Sequence, residues 1–306
     1  MKGEFDLIAT LAATLAKPGD PDEEWIGDDA AIVRPPEGWM LLAADTVVAG
    51  VHADLAYTSL GDLGWKAMAA SVSDIAAMGG VPGHALVAVS APAGSDIRLL
   101  YSGISAAAEE MGCPVVGGDL TNGPELTVTV AVTGSCPGRP VRRSGARPGD
   151  VIWVTGALGA SAAGLRRLRS GEARYDTVRD PQSAVRAHAR PTPRLREGRA
   201  ARLAGATAMI DVSDGLIADL GHIADQSEVG FRLERVPVHS EATIEEAMAG
   251  GEDFALVFCA PPGADLDGEF AGINPPIMIG ECVPDPDHRS VDGEAVHASG
   301  GWQHSF

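Results

Sequence analysis

The 306-residue sequence lacks several patterns that would place it in a familiar class. Its four cysteines, Cys113, Cys136, Cys259 and Cys282, are far apart and form neither a C-x-x-C pair nor a zinc-ligand spacing. No apolar run approaches the ~18 residues of a membrane helix, and the N-terminal stretch lacks the apolar core of a signal peptide. These absences predict free, buried thiols and a cytoplasmic location without a membrane partner.

Positive charge and aromatic side chains are also scarce. Lys and Arg number 23 against 42 Asp and Glu, which gives a formal net charge of −19, and aromatics make up 5% of the residues. Because no basic patch is present, nucleic acid is a poor candidate partner. The sequence contains no P-loop, no G-x-S-x-G nucleophile motif and no kinase H-R-D motif.

The secondary-structure pattern predicts an α/β (α+β) protein with two domains. Helical and strand-like segments alternate through the whole chain, in two stretches of similar content. The stretch MLLAADTVV, residues 40–48, predicts a buried strand, and ELTVTVAVTG predicts a strand by its strict alternation. Residues 59–78 predict a helix with Ser59 as its N-cap and Asp62 three residues on.

The segment PGRPVRRSGARPGD, residues 137–150, is rich in Pro, Gly and Arg and reads as a domain crossing. We therefore expect domains at 1–136 and 137–306. The segment 170–190 is polar, and we expect it on the surface.

Acidic residues recur at the ends of apolar segments or beside glycines. They are Asp28, Asp29, Asp45, Asp74, Asp119, Asp211, Asp214, Glu252 and Asp253. A carboxylate buried in such a place costs several kcal/mol unless it is paired. Few Lys or Arg residues are near in sequence, whereas Mg²⁺ accepts several carboxylate oxygens together with substrate phosphates. The pattern therefore favours a magnesium site that handles phosphates.

Simpler readings remain open for some of these residues. Asp214 and Asp219 can equally be helix caps or exposed turn residues. Asp74 lies deep in an Ala-rich helical pattern, where a capping role does not explain it. The stretch TGALGASAAGL, residues 155–165, predicts a strand, a glycine turn and a helix N-terminus. Its small residues suit either phosphate binding or close helix packing.

Taken together and in order, these motifs resemble those of the thiamine-monophosphate kinase family, within the superfamily that includes aminoimidazole ribonucleotide synthetase. The resemblance runs nearly end to end through GEFDLIA, GDDAAIV, ADTVVAGVH, SDIAAMGG, GGDLTNGP, RSGARPGD, VTGALGASAAGL, RPTPR, IDVSDGLIADLGHIA and GGEDFAL. It implies an N-terminal ATP- and Mg²⁺-binding domain whose mixed sheet pairs across a homodimer, followed by a C-terminal α/β domain. It also implies direct in-line transfer of the ATP γ-phosphoryl to thiamine monophosphate.

The resemblance assigns roles to individual residues. Several Mg²⁺ ions would be held by Asp29, Asp45, Asp74, Asp119, Asp211 and Asp214, with Asp28 in support. Ala43 and Ala44 are also implied as metal positions, where relatives often have Ser or Thr. Ligation through backbone carbonyls would lose nothing here, whereas ligation through hydroxyls would leave one metal site weakened. The ATP contacts would be Gly118, Asp119, Arg143 and Ser213, and the acceptor contacts His52, Glu252 and Trp302. No catalytic group beyond the metal cluster is implied.

Alternatives accompany these assignments. Arg143 can be a surface arginine of the linker, and Trp302 can simply cover the C-terminus. For the whole chain, the rivals are another ATP-dependent synthetase of the superfamily and a nucleotide-binding homologue without catalysis.

Overall fold

The computed structural model describes residues 4–20, 23, 25–26, 30–171, 180 and 183–296. Its helices are α1 (Glu4–Ala12), α2 (Leu60–Ala77), α3 (Ile97–Met111), α4 (Ala160–Ser170), α5 (Ala184–Ala189), α6 (Leu195–Leu203), α7 (Leu216–Ser227), α8 (Ile244–Ala249) and α9 (Leu266–Glu269). Its strands are β1 (Trp39–Val48), β2 (Val81–Ala91), β3 (Val115–Asn122), β4 (Thr127–Cys136), β5 (Val151–Val154), β6 (Ala208–Asp211), β7 (Gly230–Leu233), β8 (Leu256–Ala260), β9 (Ile277–Val283), β10 (Arg289–Val291) and β11 (Glu294–Ala295). The predicted mixture of helices and mixed sheets is confirmed.

The chain divides into two compact units. The first unit comprises Met1–Val72 and Pro82–Gly138, and the second comprises Ser73–Val81 and Arg139–Phe306. Helix α2 therefore begins in the first unit and ends in the second. As a result, Ser73 and Asp74 belong to the same unit as the strands and helices that follow residue 139.

A four-stranded sheet forms the centre of the first unit, in the order β1-β4-β2-β3. It is mixed, because β1 pairs with β4 antiparallel and β2 pairs with β3 parallel. Strand β4 alternates regularly, with Val128, Val130 and Val132 buried. The sequence suggested that β1 is buried throughout, and this was wrong: Met40 and Leu42 are exposed. The reason is that this sheet has one covered face and one open face.

Helix α2 starts as its sequence predicts. The Ser59 hydroxyl accepts the N–H of Asp62 and donates to the Asp62 carboxylate, which makes it an N-terminal cap. The helix packs against α3 through glycines: a Cβ on Gly103 would lie 1.6 Å from the carbonyl oxygen of Gly61. A larger side chain at Gly103 would force the two helices apart.

A seven-stranded sheet forms the second unit, in the order β11-β10-β7-β9-β5-β8-β6. Strand β5 pairs antiparallel with β8 on one side and with β9 on the other. Its Ile152 and Val154 join Ile210 of β6 and Val257 of β8 in the buried apolar cluster. The acidic motif IDVSDG, which begins in β6, is anchored in this core through Ile210 and Val212.

The expected surface excursion at 170–190 was wrong for part of its length. Residues 184–189 form α5, and Ala184, Val185, His188 and Ala189 are buried. These positions, i, i+1, i+4 and i+5, make one apolar helix face, which the surrounding polar residues hid in the sequence. The close approach to α4 occurs at Gly164, where a Cβ would lie 2.1 Å from the Ala184 carbonyl oxygen.

The four cysteines are in the state that the sequence predicts. All four cysteines are free and buried. Among the described helices, none has both the length and the apolar character needed to cross a membrane.

Candidate active site

The loop after β6 is built around one buried carboxylate. The Oδ2 atom of Asp219, in the first turn of α7, accepts the N–H groups of Ser213, Asp214 and Gly215 at 3.0, 3.0 and 3.1 Å. Gly215 has φ +117°, and its Cβ position lies 2.8 Å from the backbone of Ala249, so only glycine fits there. The loop is therefore held in one conformation. The N-cap of α7 is Gly215, and Asp219 is a buried residue of the first turn, so both simpler interpretations of Asp219, as an N-cap and as an exposed turn residue, were wrong.

The same loop concentrates negative charge. Burial raises the pKa of Asp219 to about 7; the charges of Asp211 and Asp214 add to this rise, and the N–H groups of Asp214 and Ser213 oppose it. The Asp219 carboxyl is already bound by three N–H groups, so Asp211 and Asp214 are the acidic side chains of this loop that remain as candidate ligands.

Asp211 is fixed from a distant part of the chain. It is buried, and its Oδ2 accepts a hydrogen bond from the Ser73 hydroxyl at 2.6 Å. Asp74 follows Ser73 directly in α2, and its side chain is half-buried. The second unit thus brings together two predicted ligand segments, SD at 73–74 and DVSD at 211–214.

A second loop, residues 250–254, runs beside the first. Val212 N–H donates to Ala255 O at 2.7 Å, and Glu252 N–H donates to Ser213 O at 2.8 Å. The approach is so close that a Cβ on Gly251 would lie 2.3 Å from Ser213 O. The predicted acceptor residue Glu252 is therefore a direct backbone neighbour of the predicted ATP residue Ser213.

In the first unit, Asp45 lies on β1 and Asp119 on β3. The Asp45 Oδ2 atom is buried and has no hydrogen-bond partner among the described residues. Asp119 is exposed, and its charge reaches Tyr101, whose pKa is raised to about 12 by burial and, to a smaller extent, by Asp119. Gly118 has no room for a side chain, since a Cβ would lie 1.9 Å from Val87 O.

The remaining predicted residues have simpler surroundings. The Nδ1 atom of His52 accepts the Val48 N–H at 3.0 Å, so that the neutral ring carries its proton on Nε2. Ala43 and Ala44 lie in the β1–β4 ladder opposite Val132 and Ala131. Their contribution of backbone carbonyls to a metal stays a prediction.

Arg143 is exposed in the loop that Ser227 fixes at the end of α7. The Ser227 hydroxyl donates to Arg143 O at 3.3 Å and accepts the Gly145 N–H at 3.1 Å. The loop backbone is therefore held while the guanidinium reaches solvent, which suits either a phosphate contact or a plain surface arginine.

The predicted metal cluster is not complete in the described part of the chain. Among the described residues, no three or more His, Cys, Asp or Glu side chains stand together as a metal site. Asp45 and Asp119 belong to the first unit, and Asp74, Asp211 and Asp214 to the second. Asp28, Asp29 and Trp302 lie outside the described residues. The set of ligands stays a prediction.

One open alternative is decided at the N-terminus of α4. The N–H groups of Gly159 and Ser161 donate to the Asp253 carboxylate at 2.5 and 3.0 Å. A carboxylate of the chain itself thus occupies the place of a phosphate, and the small residues serve the packing of α4 against α5. The phosphate reading of this turn was wrong.

Comparison with known proteins agrees with the motif order. The model of the AIR synthase related protein family matches in two parts, its N-terminal domain over residues 27–136 and its C-terminal domain over residues 147–287. Thiamine-monophosphate kinase of Escherichia coli K12 is 37% identical over 314 residues, covering 96% of this chain and 95% of that protein. The chain belongs to the thiamine-monophosphate kinase family.

Other members of this family are similar at comparable levels. The Bacillus subtilis enzyme is 37% identical over 83% of this chain and 82% of its own length. The crystal structure of thiamine-monophosphate kinase from Stenotrophomonas maltophilia, 34% identical, matches with a TM-score of 0.82 over 95% of this chain and 96% of that one. The structure of AaThiL complexed with AMPPCP and TMP, 32% identical, matches with a TM-score of 0.78 over 99% of this chain and 97% of that one.

Sequence reasoning missed three residues of this site. Ser73 carried no signal beyond its position before Asp74, and His188 was hidden in the polar segment 170–190. Asp219 was interpreted as a helix cap or an exposed turn residue, and its acceptance of three N–H groups was not predicted.

Proposed function

We propose that this chain transfers the γ-phosphoryl group of ATP to thiamine monophosphate, giving thiamine diphosphate and ADP. The observation that carries the proposal is the backbone pairing of the loops 211–215 and 250–254. It sets the predicted ATP residue Ser213 beside the predicted acceptor residue Glu252. Transfer of a phosphoryl group from one phosphate compound to another requires that donor and acceptor be held next to each other.

The residues fit magnesium by their chemistry. We propose Asp29, Asp45, Asp74, Asp119, Asp211 and Asp214 as the residues that would hold several Mg²⁺ ions. This donor set consists of oxygen atoms alone, as Mg²⁺ prefers. The Asp45 Oδ2 atom is buried and has no hydrogen-bond partner among the described residues, so a bound cation would satisfy it. Bound Mg²⁺ would offset the repulsion between the two phosphate groups.

The chain's own groups have defined tasks in this proposal. Asp219 keeps the loop 211–215 in one conformation, and Ser73 keeps Asp211 in one orientation. Arg143 would pair with phosphate oxygens through its guanidinium fork, and Gly118 would let backbone N–H groups approach them. Because a phosphate monoester oxygen is already largely ionised, no general base is required.

The acceptor would be bound by His52, Glu252 and Trp302. The thiazolium ring of thiamine is a cation, so a carboxylate and an aromatic face are suitable partners for it. These three residues carry the specificity of the proposed reaction, and the acidic residues carry its rate.

A homodimer is the second part of the proposal. We propose that the domain of residues 1–136 pairs with a second copy through the open face of its four-stranded sheet. Leu42, Met40 and Leu86 are 72%, 53% and 48% exposed on this sheet, an apolar surface of the kind that marks an interface. Leu42→Asp should convert a dimer to a monomer in analytical ultracentrifugation, whereas Leu203→Asp, at an exposed leucine of α6, should not. A wild-type protein that is monomeric in this measurement would contradict the proposed homodimer.

A cytoplasmic location is proposed on the four free cysteines alone. The Cys259 and Cys282 sulfurs lie 3.6 Å apart without a bond, which suits a reducing compartment.

The test of the reaction uses the purified chain with ATP, Mg²⁺ and thiamine monophosphate. We expect thiamine diphosphate and ADP in equal amounts by chromatography, and no product with EDTA or with unphosphorylated thiamine as acceptor. ATP binding without turnover would instead identify a non-catalytic homologue. ATP hydrolysis at a rate that does not depend on thiamine monophosphate would indicate another synthetase of the superfamily.

A further inference from the structure

The loop that carries Glu252 has an unusual backbone. Glu252 and Phe254 have φ of +64° and +47°, in the left-handed region that side-chain-bearing residues seldom adopt. Two hydrogen bonds hold them there, from Glu252 N–H to Ser213 O and from Phe254 N–H to Val212 O. Such conformations persist only where the surroundings impose them, and they concentrate at functional sites. The backbone fixes the position of the Glu252 Cβ atom but not the position of the carboxylate at the end of its side chain.

A buried histidine lies against that carboxylate. The Nδ1 atom of His188 is 3.9 Å from Glu252 Oε2 and 3.2 Å from Ser161 Oγ. The His188 side chain is 4% exposed, whereas that of Glu252 is 32% exposed. The His188 imidazole thus lies on the buried side of the Glu252 carboxylate, and the opposite side of this carboxylate is exposed to solvent.

The position of His188 is itself determined on two sides. Its Cβ would be 2.9 Å from a Cβ on Gly164, so α5 is seated directly on α4. Ser161, which contacts the ring, is held in turn by its N–H bond to Asp253 Oδ1. The start of the His188 side chain and the backbone of Ser161 are therefore both held by packed segments.

We propose that His188 is a positioning residue for thiamine-phosphate binding, with a proton on Nδ1 that faces Ser161 Oγ and the Glu252 carboxylate. It orients Glu252 so that the solvent-exposed side of the carboxylate meets the cationic part of the acceptor. This inference rests on the proposed function, because it needs Glu252 on the acceptor side. A histidine that merely fills the α4–α5 interface would not influence acceptor binding separately from ATP binding.

The experiment compares His188→Leu, which fills the space without a polar group, with His188→Asn, whose amide can place an N–H near the Nδ1 position. With Mg²⁺ saturating, His188→Leu should raise the acceptor KM about tenfold, a loss typical of one oriented charge contact. Its kcat and its KM for ATP should stay close to wild type. His188→Asn should recover most of the lost acceptor affinity.

A matched control separates positioning from packing. Val185→Ala removes a buried side chain from the same helix, α5, and leaves the polar groups in place. It should lower the melting temperature without changing the acceptor KM. Equal increases of both substrate KM values in His188→Leu, or an acceptor KM that follows the melting temperature across these variants, would overturn the inference.

A double mutant identifies the route of the effect. Glu252→Gln should raise the acceptor KM, and adding His188→Leu should raise it little further, since the second change acts through the first. Additive effects would overturn the inference and leave the kinase function standing, as would an acceptor KM unchanged in His188→Leu. A wild type that does not phosphorylate thiamine monophosphate would overturn both.

Discussion

The acidic residues of the first unit and those of the second are held in different ways. In the second unit, Asp211 accepts the Ser73 hydroxyl, and the loop that carries Asp214 is fixed by three N–H bonds to Asp219. In the first unit, the buried Asp45 Oδ2 has no hydrogen-bond partner among the described residues, and Asp119 is exposed. The second unit builds its acidic loop from its own hydrogen bonds, whereas no described residue bonds the Asp45 Oδ2 atom.

The largest effect should follow from Asp74→Asn. If Asp74 holds magnesium, its loss removes electrostatic stabilisation of the transferring phosphoryl group, and kcat should fall by at least about 10²–10³-fold. The melting temperature should change little. Asp267→Asn, at an exposed position of α9, is the matched control and should keep full activity. A near-normal rate in Asp74→Asn would remove this residue from the ligand set.

The contrast between the units is tested next by stability without magnesium. Asp219→Ala leaves three N–H groups without their acceptor, each at a cost of about 1–3 kcal/mol, so the free energy of unfolding in urea should fall clearly. Asp45→Ala removes a buried oxygen that has no described partner and should be close to neutral or stabilising. If Asp45→Ala were as destabilising as Asp219→Ala, the distinction drawn between the two units would be lost.

A smaller effect is expected from Ser73→Ala. It removes the donor that orients Asp211, and such outer partners typically contribute about 10–100-fold in metal affinity or activity. The Mg²⁺ concentration for half-maximal activity should rise accordingly. Ser71→Ala is the control, because Ser71 is equally buried in α2 but donates to Val130 O at 2.8 Å. It should lower stability and leave the Mg²⁺ dependence unchanged; a shift of equal size in both variants would contradict the role of Ser73.

The smallest effect concerns pH and Asp253. Burial raises the pKa of this carboxyl above 3.8, against the lowering effect of the Ser161 and Gly159 N–H groups. The folded protein therefore holds the proton more tightly than the unfolded chain. The stability that this gives is complete below about pH 3.8 and is lost as pH rises through the raised pKa.

Asp253→Asn removes this titration. The difference in free energy of unfolding, wild type minus variant, should decline as the pH is raised from about 4 towards neutrality. A difference that stays constant or grows with pH over this range would contradict the raised pKa.

Much of the fold could be predicted because its signals are local. The alternation of β4 and the Ser59 cap of α2 depend on neighbouring residues, and both are confirmed. Helix α5 was missed because it has only four buried residues and lies in a polar segment, which is too short an apolar pattern to predict a helix. The exposed face of β1 was missed because the pattern MLLAADTVV does not reveal that one side of the sheet is uncovered.

The sequence by itself determined the family and the order of the acidic motifs, because motif identity and spacing are properties of the chain. Only the tertiary structure decided which acids are already held and by what. Ser73 reaches Asp211 across 138 positions, and Ser161 reaches His188 across 27. Hydrogen bonds over such separations depend on how the elements pack, and no local pattern of residues encodes them.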